Sequence, residues 1–242
     1  MNLFDFVFLL FSSPYTIFGN RLSDSTWTLS AWKCLPILYL IANLVFGLSS
    51  NKKKISKQVR NESWKIFVAL CASCIGDVYV LLMEIESDHY VLHGALWFGL
   101  AHLFLISVMG SNIMENSKMI LIIGIVGVNC LINIKFLMEQ SALIAMTITI
   151  YSFILLSMAF SSLVRSKTEK IGLAFFGSKN FIPYPKAAAI SFVISDFILN
   201  LTTITRSVGP ELLSVPMKCF LIHLTYYFSQ YAFTKWILIR IE

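Results

Sequence analysis

The stretch VISDFIL (Val193–Leu199) places one carboxylic acid, Asp196, in the middle of an apolar segment. A second apolar stretch, CIGDVYVLL (Cys74–Leu82), does the same with Asp77. Both segments otherwise have the composition of bilayer-spanning helices, which need about 20 mostly apolar residues. A bare carboxylate at the bilayer centre is costly, and a plain helix contact does not require an acid. We therefore predict that both aspartates are functional.

The composition supports a membrane protein. Of the 242 residues, 57% are hydrophobic and only 13% are charged, and the mean hydropathy is +0.75. A soluble domain of this length cannot bury so much apolar surface. The net charge of +6 is no sign of a nucleic-acid partner, because the basic residues lie in short loops between apolar runs. The five cysteines lie inside or at the edges of apolar segments, which argues against a disulfide framework.

The apolar runs predict an all-α, polytopic transmembrane helical bundle with about eight spans, forming a single transmembrane domain over residues 1–242. The first run has no basic segment before it and carries Asp5, so we predict a weak span, tilted or broken near Pro14, and not a cleaved signal peptide. The candidate spans are residues 4–19, 31–48, 65–83, 91–109, 119–138, 142–163, 187–204 and 214–238.

The distribution of lysine and arginine predicts the orientation. The loops after the second and sixth spans are rich in both residues, and 14 basic residues fall on one side of the membrane against five on the other. Because cytoplasmic loops carry this excess, we expect both termini to be cytosolic. The sequon at Asn61 then lies in the cytosol and is not glycosylated.

Polar side chains within the spans fall near one depth. At about 1.5 Å per residue, Asp77, His102, Asp196, Tyr226 and Gln230 come near the bilayer middle from four helices. Several helices also carry polar stripes, which we expect to line an internal cavity. The alternative is that such stripes only join helices by hydrogen bonds, and a single intramembrane histidine is more often a packing residue. The stripes are Ser73 with Asp77, Asp196 with Asn200 and Thr203, and His223 with Tyr227, Gln230 and Thr234.

Two buried carboxyl groups suggest acid–base chemistry. Burial favours the neutral form of a carboxyl group, and a close pair tends to share one proton. One acid can then donate a proton while the other stabilises positive charge or activates water, as in glycoside hydrolysis. This chemistry needs no metal and no cofactor, and the sequence has no GxSxG, HExxH or Walker motif. The competing classes are a proton-coupled transporter of a lipid or small molecule, with the pair as a proton relay, and a scaffold without turnover.

Motifs in a fixed order resemble those of the lysoplasmalogenase, or YhhN-type, family of integral membrane proteins. The resemblance covers nearly the whole chain, and it rests on the set of motifs together. The motifs are WKCLPIL (Trp32–Leu38), IGDVYVLL (Ile75–Leu82), YVLHGALWFGLAHLF (Tyr90–Phe104), FVISDFIL (Phe192–Leu199) and LTYYFSQYAF (Leu224–Phe233).

The resemblance implies hydrolysis of the vinyl ether bond of lysoplasmalogens, with membrane lipids as partners and the endoplasmic reticulum as location. The products are a fatty aldehyde and glycerophospho-ethanolamine or -choline. It implies that Asp77 and Asp196 are the catalytic acids, and the chain leaves a homodimer open. The substrate-binding residues that we predict are Lys33, His93, His102, Asn200, Tyr226, Tyr227 and Gln230.

Two positions depart from the family pattern. Leu105 stands where the family often has a tyrosine, and Asn200 stands where it often has a small residue. The first change removes a potential hydrogen bond from the pocket, and the second alters its shape or polarity. Neither touches the two acids, so the departures leave the substrate preference open.

Overall fold

A computed structural model of the chain describes residues 3–19, 25–51, 55–83, 88–110, 142–167, 169, 171–174, 181–208 and 214–242. Within these ranges the chain forms seven α-helices and one short β-hairpin. The helices are α1 (Leu3–Phe18), α2 (Thr26–Ser50), α3 (Lys57–Met83), α4 (Asp88–Met109), α5 (Ala142–Arg165), α6 (Tyr184–Val208) and α7 (Val215–Ile241). The predicted span at 119–138 lies outside the described residues.

Four of the described helices are long and apolar enough to cross a membrane, namely α2, α3, α4 and α5. Helix α1 is apolar but has 16 residues, so it is about 24 Å long at 1.5 Å per residue. Helices α6 and α7 have 25 and 27 residues and carry several of the polar residues discussed below. The described part of the chain is therefore a helical integral membrane protein.

The chain also forms a hairpin that the all-α prediction does not include. Strands β1 (Gly172–Ala174) and β2 (Phe181–Pro183) pair antiparallel, with Leu173 opposite Ile182. They lie in the basic loop between α5 and α6. Because this segment is not helical, the strand pairing supplies hydrogen-bond partners for its backbone N–H and C=O groups. The hairpin leads directly into α6 at Tyr184.

Helix α1 continues through Pro14 instead of breaking there. Proline has no N–H, so the carbonyl of Leu10 loses its helical donor. The hydroxyl of Ser13 lies 3.4 Å from that carbonyl and donates to it. This local replacement explains why the predicted break does not occur.

Helix α1 packs along α7 through one charged residue near its start. The carboxylate of Asp5 accepts a hydrogen bond of 2.7 Å from the Tyr231 hydroxyl and lies 2.9 Å from the Lys235 ammonium. The Phe4 ring stacks on Tyr231 with 5.7 Å between centroids. The Asp5 carboxylate thus has the Lys235 ammonium as its counter-ion and the Tyr231 hydroxyl as a hydrogen-bond donor.

Helix α7 is the centre of the bundle, because it packs against α1, α2, α3 and α6. Its Trp236, Phe233 and Tyr227 are among the most deeply buried large side chains of the described residues. At the end of α7 near Ile241, a network joins α3, α5 and α7. Glu62 accepts a hydrogen bond from Arg240 and lies 3.6 Å from Arg165.

Close packing of α3 on α4 predicts an effect of Gly76→Ala. An added Cβ at Gly76 lies 2.9 Å from the Phe98 ring, a distance that real Cβ contacts do not adopt. We expect Gly76→Ala to lower the free energy of unfolding by about 1–3 kcal/mol, the usual cost of overpacking. Thermal unfolding of the purified chain in detergent measures the change.

Gly99→Ala is the matched control, since Gly99 lies on α4 and an added Cβ there contacts Ile154 at an ordinary 3.8 Å. Replacing a helical glycine by alanine without a clash removes a conformational cost. We expect this variant to be as stable as the wild type or more stable. Equal destabilisation of both variants contradicts the close approach at Gly76.

Candidate functional site

Asp77 lies in a buried cluster formed by three helices. Its Oδ1 is 3.2 Å from the Lys33 ammonium of α2, and its Oδ2 accepts a hydrogen bond of 2.8 Å from the Tyr226 hydroxyl of α7. Asp77 is 2% exposed, and Lys33 and Tyr226 are each 5% exposed. The ammonium balances the charge of the carboxylate, and both oxygens have a partner. We call these three residues the Asp77 cluster.

Neighbouring polar contacts hold the Asp77 cluster in place. The Tyr227 hydroxyl of α7 donates to the backbone carbonyl of Lys33 over 2.8 Å. One turn before Asp77 on α3, the Ser73 hydroxyl accepts a hydrogen bond of 3.1 Å from Gln230 of α7. Of the predicted polar residues of α7, Tyr226 thus contacts the acid directly, and Tyr227 and Gln230 contact its surroundings.

Asp196 belongs to a second cluster, which α4, α5 and α6 form. Its Oδ2 accepts a hydrogen bond from the Tyr151 hydroxyl of α5. The same hydroxyl oxygen lies 3.2 Å from Nε2 of His102 on α4. His102 is fully buried, whereas Asp196 is half-buried. We call His102, Tyr151 and Asp196 the Asp196 cluster.

Tyr151 is the member of this cluster that sequence reasoning missed. It lies 14 residues from Arg165 at the end of α5, which is about 21 Å along the helix. Tyrosine in membrane helices is typically found at the two interfaces. A tyrosine so far from the helix end, in an otherwise apolar segment, was the signal available in the sequence.

One aromatic ring contacts both clusters. The Phe192 ring of α6 packs edge-on against His102, with 4.5 Å between centroids. The same ring also packs edge-on against Tyr226, with 5.6 Å between centroids. Phe192 is 1% exposed, so the clusters are close neighbours inside the bundle.

The aspartates do not form the directly paired carboxyl groups that the sequence analysis expected. Among the described residues, each carboxyl has its own partners, and no hydrogen bond joins Asp77 to Asp196. The reason is that Lys33 and Tyr226 occupy the oxygens of Asp77. The two acids therefore lie in different environments instead of sharing one proton. Asp77 lies beside the ammonium of Lys33, and Asp196 lies beside the phenol of Tyr151.

The remaining predicted site residues lie elsewhere. The exposed His93 stacks on Tyr79 with 5.1 Å between ring centroids, and it is nine residues before His102, or about 14 Å along α4. Asn200 lies in α6, but the structure does not describe its side chain. Its role therefore stays a prediction. Lys33, His102, Tyr226, Tyr227 and Gln230 lie in or beside the two clusters.

Within the described ranges, no group of three or more His, Cys, Asp and Glu side chains is close enough to hold a metal ion. Among the described residues, Cys34, Cys71, Cys74 and Cys219 form no disulfide bond. The Cys34 thiol of α2 donates to the Cys74 carbonyl of α3 over 3.5 Å. This contact adds to the packing of the helices that bring Lys33 to Asp77.

Comparison with known proteins gives one match. The family model of the YhhN family matches residues 28–237, a range that contains all members of both clusters. No curated protein and no solved structure matches the chain significantly. Because the family match extends over most of the 242 residues, the chain belongs to the YhhN family, the family of the lysoplasmalogenases.

Proposed function

We propose that this protein hydrolyses the vinyl ether bond of alkenyl lysophospholipids, as the lysoplasmalogenase family suggests. The products are a fatty aldehyde and glycerophospho-ethanolamine or -choline. The observation that carries the proposal is the contrast between two intramembrane aspartates whose clusters contact the same aromatic ring, Phe192. Asp77 is paired with the ammonium of Lys33, whereas Asp196 has the Tyr151 hydroxyl as its partner.

This contrast supports Asp196 as the proton donor. Vinyl ether hydrolysis begins when an acid protonates the alkenyl carbon that does not carry the oxygen. The C=C electron pair forms the new C–H bond, and the carbon bound to oxygen becomes an oxocarbenium ion. Among the described residues, no lysine or arginine forms an ion pair with Asp196. A carboxyl group in that setting favours its neutral form and can donate a proton.

The Asp77 cluster supports the charge that develops in this step. The buried Asp77–Lys33 pair has no net charge and acts as a dipole whose carboxylate end accepts a hydrogen bond from Tyr226. In a medium of low dielectric constant, such fixed dipoles act strongly. The Phe192 ring contacts both Tyr226 of this cluster and His102 of the Asp196 cluster.

The lipid reaches Asp196 from the side of the bundle. Asp196 is half-buried, and its sequence neighbours Ile194 and Phe197 are 43% and 65% exposed. Leu103 of α4, next to His102 in sequence, is 49% exposed. These exposed apolar side chains are available to contact an alkenyl chain in the bilayer.

In this proposal the chain spans the membrane about eight times, with both termini in the cytosol. The excess of lysine and arginine in two loops supports this orientation. Arg165 and Arg240 meet Glu62 at one end of the bundle, which supports placing that end at one membrane surface. The endoplasmic reticulum is the location that the family resemblance suggests.

A reconstitution experiment tests the function. The purified full chain in lipid nanodiscs receives an alkenyl lysophosphatidylethanolamine, and mass spectrometry follows the products. We expect fatty aldehyde and glycerophosphoethanolamine in equal amounts, and no release from the saturated alkyl analogue, which has no double bond to protonate. The saturated analogue is the matched control because only the double bond differs.

Two other outcomes would favour the competing classes, a transporter and a scaffold without turnover. Movement of the lysolipid or of protons across proteoliposomes, without aldehyde, assigns the protein to the transporters and contradicts the proposal. Neither aldehyde nor transport assigns it to the scaffolds and contradicts the proposal as well.

A further inference from the structure

The Asp196 cluster is a chain of three protonatable groups from three helices. Tyr151 stands in the middle, because its hydroxyl donates to Asp196 and its oxygen lies 3.2 Å from Nε2 of His102. The far end of the chain is Nδ1 of His102. This atom is buried and has no hydrogen-bond partner within the described part of the molecule.

The hydrogen bonds determine which nitrogen of His102 carries the proton. A phenol has one hydroxyl hydrogen, and Tyr151 uses it in the hydrogen bond that it donates to Asp196. The oxygen of Tyr151 can then only accept from His102, so Nε2 carries the hydrogen. Nδ1 is left with a lone pair, and a buried acceptor without a partner is unfavourable until a donor such as water occupies the position.

We propose that Tyr151 relays protons from His102 to Asp196. Nδ1 of His102 takes a proton from the water that attacks the substrate, and Nε2 releases its own hydrogen towards Tyr151. This inference rests on the proposed hydrolysis. Tyr151 is a positioning residue that does not touch the substrate. His102 is the base for water, and Asp196 is the acid that the relay restores.

The protons and bonds balance over the step. Asp196 gives its proton to the alkenyl carbon and becomes a carboxylate, while the other carbon becomes cationic. Water adds its oxygen to that cation and loses a proton to Nδ1 of His102. The hydrogen on Nε2 then passes to the oxygen of Tyr151, and the Tyr151 hydroxyl proton passes to Asp196. The product is a neutral hemiacetal, which separates into aldehyde and glycerol alcohol. Asp196 is protonated again, and His102 is left with its hydrogen on Nδ1. The starting tautomer returns when Nδ1 gives its proton to water and Nε2 takes one up.

The kinetic test uses Tyr151→Phe in the full chain in nanodiscs. This change removes the hydroxyl and keeps the ring that packs beside His102. We expect kcat for the alkenyl lysolipid to fall by about 100-fold or more, the usual contribution of a positioned proton-transfer group, while KM changes little. The double variant Tyr151→Phe with His102→Gln is expected to be no slower than the slower single variant, because both changes break the same relay.

Tyr39→Phe is the matched control. Its hydroxyl donates over 3.4 Å to the Phe4 carbonyl at the α1–α2 contact, away from both clusters. We expect wild-type kcat in this variant. Wild-type kcat in Tyr151→Phe overturns the relay, and so does an additive loss in the double variant.

A second measurement does not depend on activity. Nitrogen-15 NMR of the chain labelled at its four histidines reports the tautomer of His102, whose signals are identified by their loss in His102→Gln. We expect a neutral ring with hydrogen on Nε2 in the wild type and a loss of that preference in Tyr151→Phe. Hydrogen on Nδ1 in the wild type overturns the relay.

The two proposals fail in different ways. If the wild type releases no aldehyde, the proposed function is wrong whatever the NMR spectrum shows. If the wild type is active and Tyr151→Phe is equally active, only the relay is wrong.

Discussion

Asp196→Asn is expected to abolish aldehyde release while the bundle stays folded. Asparagine has nearly the same shape, and its amide oxygen can still accept the hydrogen bond from Tyr151. It has no acidic proton, so the first step loses its donor and turnover falls by about 100-fold or more. Product mass spectrometry measures the loss, and thermal unfolding in detergent, expected within a few degrees of the wild type, reports the fold.

Asp5→Asn is the matched control for this substitution. Asp5 also sits in a helix of the bundle and accepts from a tyrosine, Tyr231, but it lies in α1 at the contact with Lys235. We expect near-wild-type turnover in this variant. Comparable turnover in Asp196→Asn and Asp5→Asn contradicts the role of Asp196.

Asp77→Asn is expected to lower both stability and activity. The substitution leaves the buried ammonium of Lys33 without the carboxylate 3.2 Å away. Breaking a buried ion pair from one side typically costs about 3–5 kcal/mol. Activity falls too, because the carboxylate end of the pair's dipole, which faces Tyr226, is lost and an unpaired ammonium remains near the site. Equilibrium unfolding and aldehyde release measure the two effects on the same protein.

The double variant Asp77→Asn with Lys33→Met separates the two effects. Methionine fills much of the volume of the lysine stem without a charge, so no buried ion remains unpaired. We expect most of the lost stability to return and the activity to stay low. A double variant that is as unstable as Asp77→Asn contradicts the ion pair, and one that regains activity contradicts the electrostatic role of Asp77.

The sequence predicts functional roles for Asp77 and Asp196, because an acid in an apolar helix is costly wherever the helix packs. Their partners do not follow from it. The pairing of Asp77 with Lys33 depends on how α2 and α3 are rotated against each other, and hydropathy carries no information on that rotation. The expectation of a shared proton failed for this reason. Tyr151 was missed because a tyrosine counts as apolar in a hydrophobic run.

The fold was predictable to a similar extent. The helices around residues 31–48, 65–83, 91–109 and 142–163 agree with α2, α3, α4 and α5 to within a few residues at most ends. Local chemistry accounts for the differences. Helix α1 continues through Pro14 because the Ser13 hydroxyl donates to the Leu10 carbonyl, which has no helical donor. The strands Gly172–Ala174 and Phe181–Pro183 have three residues each, too few for an alternating pattern that the sequence could show.

Hydrolysis in heavy water tests the central claim most directly. Wild-type protein is incubated in D₂O with alkenyl lysophosphatidylethanolamine, and the aldehyde is trapped as it forms and analysed by mass spectrometry. Acid catalysis from Asp196 predicts one deuterium on the carbon next to the aldehyde group, and about 100-fold less labelled product, or lower still, with Asp196→Asn. Aldehyde without deuterium at that carbon, or full release by Asp196→Asn, contradicts the account.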